Sequence, residues 1–263
     1  MTDTWDPAQY ERFQREREQP FFDLLAMVRP APEPASMRVV DLGCGTGKQT
    51  RMLHERLHAR ETIGLDQSPK MLDGQRGAAL PAGLRFEVGR IEEFPAAGER
   101  FDLVFSNAAL HWVDGHDALL RRLTGALAPG GQLAFQVPAM HDEACHEVAE
   151  HIAAEEPFRS ALGGWQLFHA VQTPRRYAEI LYMLGFTAPD VRLMIYPHVL
   201  PDADAVVEWM KGTLLTEYAR HMPASLFAQF VEGYRERLTA RLGATRPFFF
   251  PFKRILCWAR KPV

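Results

Sequence analysis

The strongest signal for the fold is Val39-Val40-Asp41-Leu42-Gly43-Cys44-Gly45-Thr46-Gly47. Two apolar residues lead into an acid, and three glycines follow at alternate positions. Helical spacing of apolar and polar residues begins directly afterwards. This order predicts a strand, a tight glycine turn and the start of a helix, a geometry that brings the backbone close to a nucleotide-like ligand.

Two details argue against a dinucleotide at this turn. The dinucleotide fingerprint places its third glycine three residues after the second, but Lys48 stands there and Gly47 comes one residue early. The carboxylate of Asp41 would repel a pyrophosphate, whereas it would attract a cation. S-adenosylmethionine carries an ammonium and a sulfonium and no phosphate, so these residues favour it as the ligand.

The rest of the chain alternates strands and helices, which is typical of crossover units in a parallel sheet. Strands are predicted over 37–42, 62–66, 84–88, 101–106, 132–137, 191–196 and 249–259. Single helices are predicted over 46–58, 68–79, 115–127, 141–156 and 174–184. One or two helices are predicted over 9–28, and two or three over 203–242 with breaks near Gly212 and Pro223. The sequence Ala-Pro-Gly-Gly at 128–131 is predicted to end a helix and turn into the fifth strand.

Polar residues follow the second and fourth predicted strands. Asp66 stands 23 positions after Gly43, where an acid can accept both ribose hydroxyls, as it also does for nicotinamide cofactors. Met71 either covers an adenine or packs in the core. The segment from Asn107 to Trp112 should face the ligand crevice at the carboxyl ends of the strands, although His111 and Trp112 could equally be structural.

Composition narrows the function classes. A net charge of −3 gives no bulk attraction to nucleic acid or to an anionic membrane. Three distant cysteines and the absence of a basic, then apolar, leader favour a reducing cytoplasm. The expected partner is therefore a small molecule, with no nucleic acid and no membrane, and the oligomeric state stays open.

The glycine motif, Asp66 and the Asn107–Trp112 segment resemble the class I S-adenosylmethionine-dependent methyltransferases over residues 37–138. The outer segments 5–17, 208–213 and 252–261 are similar, more loosely, to the trans-aconitate methyltransferase group. This resemblance implies an α/β, Rossmann-like, seven-stranded and mostly parallel sheet with the last strand antiparallel, plus helical lid insertions. It also implies methyl-ester formation on a small polycarboxylate.

The resemblance further implies a set of site residues and a division of the chain. The cofactor-binding residues would be Asp41, Gly43, Gly45, Thr46, Asp66, Gln67, Met71, Arg90, Ile91 and Asn107. The substrate-binding residues would be Tyr10, Arg17, His111, Trp112 and Lys211. The expected segments are an N-terminal helical lid (1–36), the cofactor-binding core (37–140), a helical insertion (141–173), a core helix and strand (174–200), a helical cap (201–246) and the final strand (247–263).

Two departures from the resemblance bear on the site. Arg90 stands where the class usually carries an acid that accepts from the adenine amino group, and arginine has no acceptor. The main chain at Arg90 and Ile91 could still bind the adenine edge, and Glu92 is nearby. Residues 214–218 (Leu-Leu-Thr-Glu-Tyr) lack the Arg-Pro that follows the matched segment in the trans-aconitate group.

The residues leave three functions open. A carboxylate acceptor is already ionised at neutral pH and needs no general base, so arginines would set specificity. A hydroxyl or amine acceptor would make His111 a catalytic base. The third alternative is a cofactor-binding protein without catalysis.

One stretch, 141–151, is rich in residue types that bind metals. His141 and Cys145 are one helical turn apart, as are Glu147 and His151. The metalloprotease motif needs two residues between its Glu and its second His, but three stand here. The sequence therefore favours a solvated helix and predicts no metal site.

Overall fold

A computed structural model describes residues 14–30, 35–95 and 98–263, with side chains described from residue 18 onward. The α-helices are α1 (Gln14–Met27), α2 (Lys48–Leu57), α3 (His116–Gly125), α4 (Ala144–Ala153), α5 (Phe158–Leu162), α6 (Pro174–Met183), α7 (Asp204–Lys211), α8 (Leu214–Arg220) and α9 (Ala224–Leu242). The strands are β1 (Arg38–Leu42), β2 (Glu61–Asp66), β3 (Leu84–Val88), β4 (Phe101–Asn107), β5 (Leu127–Pro138), β6 (Thr187–Leu200) and β7 (Phe248–Arg260).

The seven strands form one sheet in the order β3-β2-β1-β4-β5-β7-β6. Strands β1 to β5 pair in parallel, and β7 pairs with β5 in the antiparallel direction. The predicted mostly parallel sheet with an antiparallel last strand is thus confirmed. The strand order reverses between β1 and β4, and a ligand crevice opens at such a switch point beside the carboxyl ends of the strands.

The helix predicted over 68–79 is wrong. Only a short 3-10 turn, Asp73–Gln75, forms there. Gly74 interrupts the segment, and Gly77 adopts a φ of 73° that an α-helix does not allow. The side chain of Gln75 instead donates to the carbonyl of Thr46 over 2.7 Å, so a tertiary contact replaces the helix.

Strand β5 begins earlier than predicted. The segment 128–131 does not precede the strand but lies inside it, with a register shift between Phe101 and Leu103 on the neighbouring strand β4. Gly130 takes a positive φ of 71°, which permits the irregularity without breaking the pairing. Strand β6 is also longer than its predicted six residues, and α5 was not predicted at all.

The chain divides into two compact units. We call the first the sheet unit; its ranges are Arg17–Pro138, Ala170–Met194 and Arg254–Val263. We call the second the helical unit; its ranges include Ala139–His169 and Ile195–Lys253. Strands β6 and β7 contribute residues to both.

Each unit has an apolar core of its own. In the sheet unit Phe21 packs edge-on against Phe105, with ring centroids 5.7 Å apart. In the helical unit Tyr218 stacks on Phe230 at 4.8 Å, and the buried Tyr234 hydroxyl donates to the carbonyl of Cys145 over 3.0 Å. Burial of such side chains stabilises each unit by about 1.5–3 kcal/mol per residue.

Candidate active site

The glycine turn leaves β1 and folds over the end of β2. Gly43, Gly45 and Gly47 have φ values of 74°, 57° and 76°, which side-chain-bearing residues adopt at a cost of about 1–2 kcal/mol each. The N–H groups of Gly43 and Cys44 both donate to the carbonyl of Leu65, over 2.8 and 3.0 Å. Gly47 then caps α2, so the backbone turns directly into a helix start.

Neighbouring side chains leave little space around this turn. A Cβ on Gly43 would overlap the Cβ of Ala109, and one on Gly47 would lie 2.5 Å from the ring of Phe86. A Cβ on Gly45 would lie 3.4 Å from the terminal methyl of Met71. The turn is therefore closely packed and presents bare backbone, as close approach of a ligand requires.

Asp66 ends β2 and is held by the backbone on both of its oxygens. Gly45 N–H donates to Oδ2 over 2.8 Å, and Ser68 N–H donates to Oδ1 over 2.9 Å. Each carboxylate oxygen accepts more than one hydrogen bond. The half-buried carboxylate is thus fixed in place and keeps acceptor capacity for hydroxyl groups.

Asp41 lies almost fully buried in β1, with 3% of its surface exposed. Burial raises the pKa of its carboxyl to about 7, the hydrogen bond from Thr50 opposes this rise, and the charge of Asp66 adds to it. The Thr50 hydroxyl donates to Oδ2 over 2.7 Å. Asp41 and Asp66 lie close enough for their charges to interact. A cation bound near them would therefore favour the charged form of Asp41.

Asn107 ends β4 and is oriented by a chain of amides. Gln136 Nε2 donates to Asn107 Oδ1, and Asn107 Nδ2 donates to Gln49 Oε1, each over 2.8 Å. Buried Arg254 in turn donates to Gln136 Oε1 over 3.2 Å. The hydrogen-bond pattern fixes which side of the Asn107 amide is the donor, so its position at the strand end is set by β5 and β7.

Several other predicted cofactor residues lie around the same turn. Met71 is buried beside Gly45, and the Ile91 Cδ1 atom lies 3.6 Å from the position of a Cβ on Gly43. The carbonyl of Thr46 is used by Gln75. Gln67 follows Asp66 and is exposed.

The side chain of Arg90 cannot accept a hydrogen bond from the adenine amino group, because a guanidinium has donors only. The guanidinium is 44% exposed and pairs with Glu92 over 2.7 Å. A second carboxylate, that of Glu93, lies 3.9 Å away. If Arg90 contributes to a cofactor site, it does so through its main chain.

The predicted substrate residues are distributed over the chain. His111 and Trp112 form a 3-10 turn just after β4, with ring centroids 4.5 Å apart. Lys211 ends α7 in the helical unit and pairs with Glu208 over 3.1 Å. Arg17 lies in α1, its side chain being outside the description, and Tyr10 lies outside the described residues.

Sequence reasoning missed the residues that support these groups. Thr50, Gln49 and Gln136 each bond a predicted site residue, and Phe86 packs against the turn. The position of Gln136 could have been noticed from the sequence, because a glutamine inside an apolar strand needs a buried hydrogen-bond partner. The side chains at Gln49 and Thr50 carried no comparable signal, since polar residues are common in the first turn of a helix.

Comparisons with known proteins agree with this geometry. Residues 40–135 match the family model described as a methyltransferase domain. A trans-aconitate 2-methyltransferase from Deinococcus radiodurans is 42% identical over 98% of this chain and 99% of its own. The chain belongs to this methyltransferase family. A second relative with the same name, from Streptomyces avermitilis, is also 42% identical, over 98% of this chain and 97% of its own.

The same fold is also found among solved structures. The YcgJ protein of Bacillus subtilis superposes with a TM-score of 0.60 at 17% identity, over 94% of this chain and 99% of its own. At that identity the likeness concerns the fold alone. Among the described residues, no helix of this methyltransferase combines the length and apolar character needed to cross a membrane.

The enzyme is an S-adenosylmethionine-dependent methyltransferase that acts on a small molecule. The residues of the turn fit that cofactor. The bare glycine backbone, the fixed acceptor Asp66 and the buried acid Asp41 suit a ligand with ribose hydroxyls and positive charge.

Proposed function

We propose that the enzyme transfers a methyl group to a carboxylate of trans-aconitate, or of a small polycarboxylate closely similar to it, and forms a methyl ester. The observation that carries this proposal is the 42% identity over 98% of the chain to a relative with that activity in its name. The similarity extends beyond residues 40–135, and so includes the segments outside the part common to methyltransferases.

The chemistry asks little of the protein in the way of proton transfer. S-adenosylmethionine, when bound, supplies an electrophilic methyl group on a positively charged sulfur. A carboxylate acceptor is ionised at neutral pH, so no side chain has to remove a proton. The protein must align the acceptor and exclude water, and alignment of this kind can lower a barrier by up to roughly 7–11 kcal/mol.

The side chains of the turn divide the work of holding the cofactor. Asp66, fixed by two N–H groups, would accept the ribose hydroxyls. Asp41 would complement the positive charge of the methionine part, and Asn107 would donate or accept beside it. The buried Met71 and the main chain at Arg90 and Ile91 would contact the adenine.

The residues proposed to bind the methyl acceptor are those that the cofactor does not occupy. His111 and Trp112 follow the carboxyl end of β4, where ligands bind in open parallel sheets. Tyr10, Arg17 and Lys211 are proposed to contribute as well.

The proposed partners and compartment follow from charge and cysteine chemistry. A net charge of −3 offers no general attraction to nucleic acid. Cys44, Cys145 and Cys257 are all buried free thiols, which suits a reducing cytoplasm.

The test is a labelled-methyl assay with trans-aconitate, its cis isomer, citrate, a phenol and an amine as separate acceptors. We expect turnover with trans-aconitate and a product that releases labelled methanol under mild alkali, as methyl esters do. A product stable to alkali, or turnover confined to the phenol or amine, would contradict the proposal.

His111→Gln sharpens this assay. A carboxylate acceptor needs no base, so the variant should keep the pH profile of kcat, whatever change it brings to KM. Loss of kcat together with loss of its pH dependence would indicate a hydroxyl or amine acceptor with His111 as the base.

A further inference from the structure

The helical unit contains a cluster of side chains that methyl transfer does not explain. Helix α4 carries His146 and Glu150 one turn apart. His169 reaches the same place from a point 19 positions beyond Glu150, and its Nε2 lies 2.7 Å from the Glu150 carboxylate. The three potential ligand atoms lie within 4.8 Å of one another. Among the described residues, these three side chains form a group that could hold a metal ion.

Two nitrogen atoms at this place are buried and have no hydrogen-bond partner. They are Nδ1 of His146 and Nδ1 of His141. The rings of His141 and His146 lie 5.6 and 5.8 Å from that of His169. A buried polar atom without a partner costs about 1–3 kcal/mol, so the arrangement is unfavourable unless something binds there.

The donor set has the chemistry of a transition-metal site. Two imidazoles and one carboxylate are the protein ligands of zinc sites that keep a fourth position for water. Bond lengths of roughly 2.0–2.2 Å place the ligand atoms of a tetrahedral zinc about 3.4 Å apart, so small side-chain rotations would bring these three atoms into place. His141 or water would complete the coordination.

We propose that His146, Glu150 and His169 form a binding site for a divalent transition-metal ion, best suited to Zn²⁺, within the helical unit. The ion would tie α4 to the segment that follows α5. The sequence predicted no metal site and noted only that His141 and Cys145, and Glu147 and His151, are one helical turn apart. The structure uses Glu147 differently, in an ion pair with Arg241.

The test uses the full chain, purified without an affinity tag and stripped with a chelator. ZnCl₂ alone is titrated in by calorimetry, and the melting temperature is measured with and without it. We expect one equivalent to bind and to raise the melting temperature. Cobalt(II) should give visible absorption bands without the near-ultraviolet band of thiolate ligation.

The variants His146→Ala, His169→Ala and Glu150→Gln should each weaken binding at least tenfold and reduce the thermal gain. Glu150 and His169 are both part-exposed, so their variants serve even if His146→Ala does not fold. His151→Ala is the matched control, because His151 lies on the same helix and is exposed. It should bind Zn²⁺ as the parent does.

Three outcomes would overturn the site. One is the absence of saturable Zn²⁺ binding. Another is binding that the His169→Ala and Glu150→Gln variants leave unchanged. The third is loss of binding in His151→Ala, which would assign the ion to the surface pair of Glu147 and His151.

Discussion

Asp41 in the sheet unit and His146 in the helical unit are both buried ionisable side chains, and burial shifts their pKa values in opposite directions. The pKa of the acid rises to about 7, and that of the base falls to about 3. In both cases the low-dielectric surroundings favour the neutral form. The signs of the effect on stability differ: burial of Asp41 lowers the free energy of unfolding as pH rises toward 7, whereas burial of His146 lowers it only below about pH 6.5, where the unfolded chain would protonate the imidazole.

The two places differ in how they are built. Asp41 belongs to a turn formed by consecutive residues, and its neighbours Thr50 and Asp66 come from the same strand-turn-helix unit or the next strand. Asp66 is 25 positions from Asp41 and His169 is 23 positions from His146, so chain distance does not separate the two places. Asp66 is placed by the regular pairing of the adjacent strands β1 and β2, whereas His169 lies in a segment without helix or strand. A sequence motif can therefore predict the first, whereas only the packing against α4 assembles the second.

The largest effect is expected from a change that distorts the turn around Asp41. Gly43→Ala would place a Cβ against Ala109 at a positive φ. We expect at least a 100-fold loss of S-adenosylmethionine affinity, or about 2.7 kcal/mol, measured by calorimetry.

Gly77→Ala is the matched control for this variant. Gly77 has a φ of 73°, almost the same as the 74° of Gly43, but no atom lies within 4 Å of the position of its Cβ. Gly77→Ala strains the backbone as much as Gly43→Ala does but causes no clash. The affinity of this variant for S-adenosylmethionine should therefore stay within threefold of the parent. Equal losses in both variants would show that backbone strain, and not close packing, matters at Gly43.

Asp41→Asn tests the acid side of the comparison. Between pH 4 and 7 the folded protein holds a proton on Asp41 that the unfolded chain has released, so the free energy of unfolding falls as pH rises through this window. The shift from 3.8 to about 7 corresponds to at most roughly 4 kcal/mol. Asparagine removes this dependence and keeps an acceptor for Thr50.

We expect the ligand-free Asp41→Asn variant to be more stable than the parent at pH 8 and nearly equal to it at pH 4, measured by urea unfolding. Its affinity for S-adenosylmethionine should be at least tenfold lower at pH 8, with the difference shrinking toward pH 6 as the parent's Asp41 takes up its proton. Parallel pH curves for parent and variant would contradict the role given to Asp41.

His146→Leu tests the base side. Leucine removes a buried nitrogen without a partner and has similar bulk, so the metal-free protein should gain about 1 kcal/mol in its free energy of unfolding at pH 8. At that pH the imidazole is neutral in both states and proton linkage does not contribute. A clear loss of stability would mean that His146 contributes by packing and that the two sites are not alike.

The smallest effect is expected where a charge is exposed. The Arg90 side chain is 44% exposed and pairs with Glu92, and such surface pairs contribute about 0–1 kcal/mol. Arg90→Ala should therefore change the affinity for S-adenosylmethionine less than threefold by calorimetry. A tenfold loss would show that the guanidinium itself contacts the cofactor.

Much of the sheet could be predicted because its signals are local. Strand β3 lies where the sequence placed it, and the ends of β1, β2 and β4 lie within one residue of prediction. The failures come from tertiary competition. Gln75 donates a hydrogen bond to the glycine turn, and no helix forms over 68–79. Gly130 and Gly131 lie inside β5, which pairs with β4 on both sides of them.

The glycine turn, the two acids at the ends of β1 and β2 and the class of cofactor could all be predicted from the sequence. Regular strand and turn preferences place these residues, although Asp41 and Asp66 are 25 positions apart. The ionisation of Asp41, the orientation of Asn107 and the meeting of His146 with Glu150 and His169 follow from the folded structure. Burial and the packing of irregular segments produce these properties, and local spacing in the sequence does not show either.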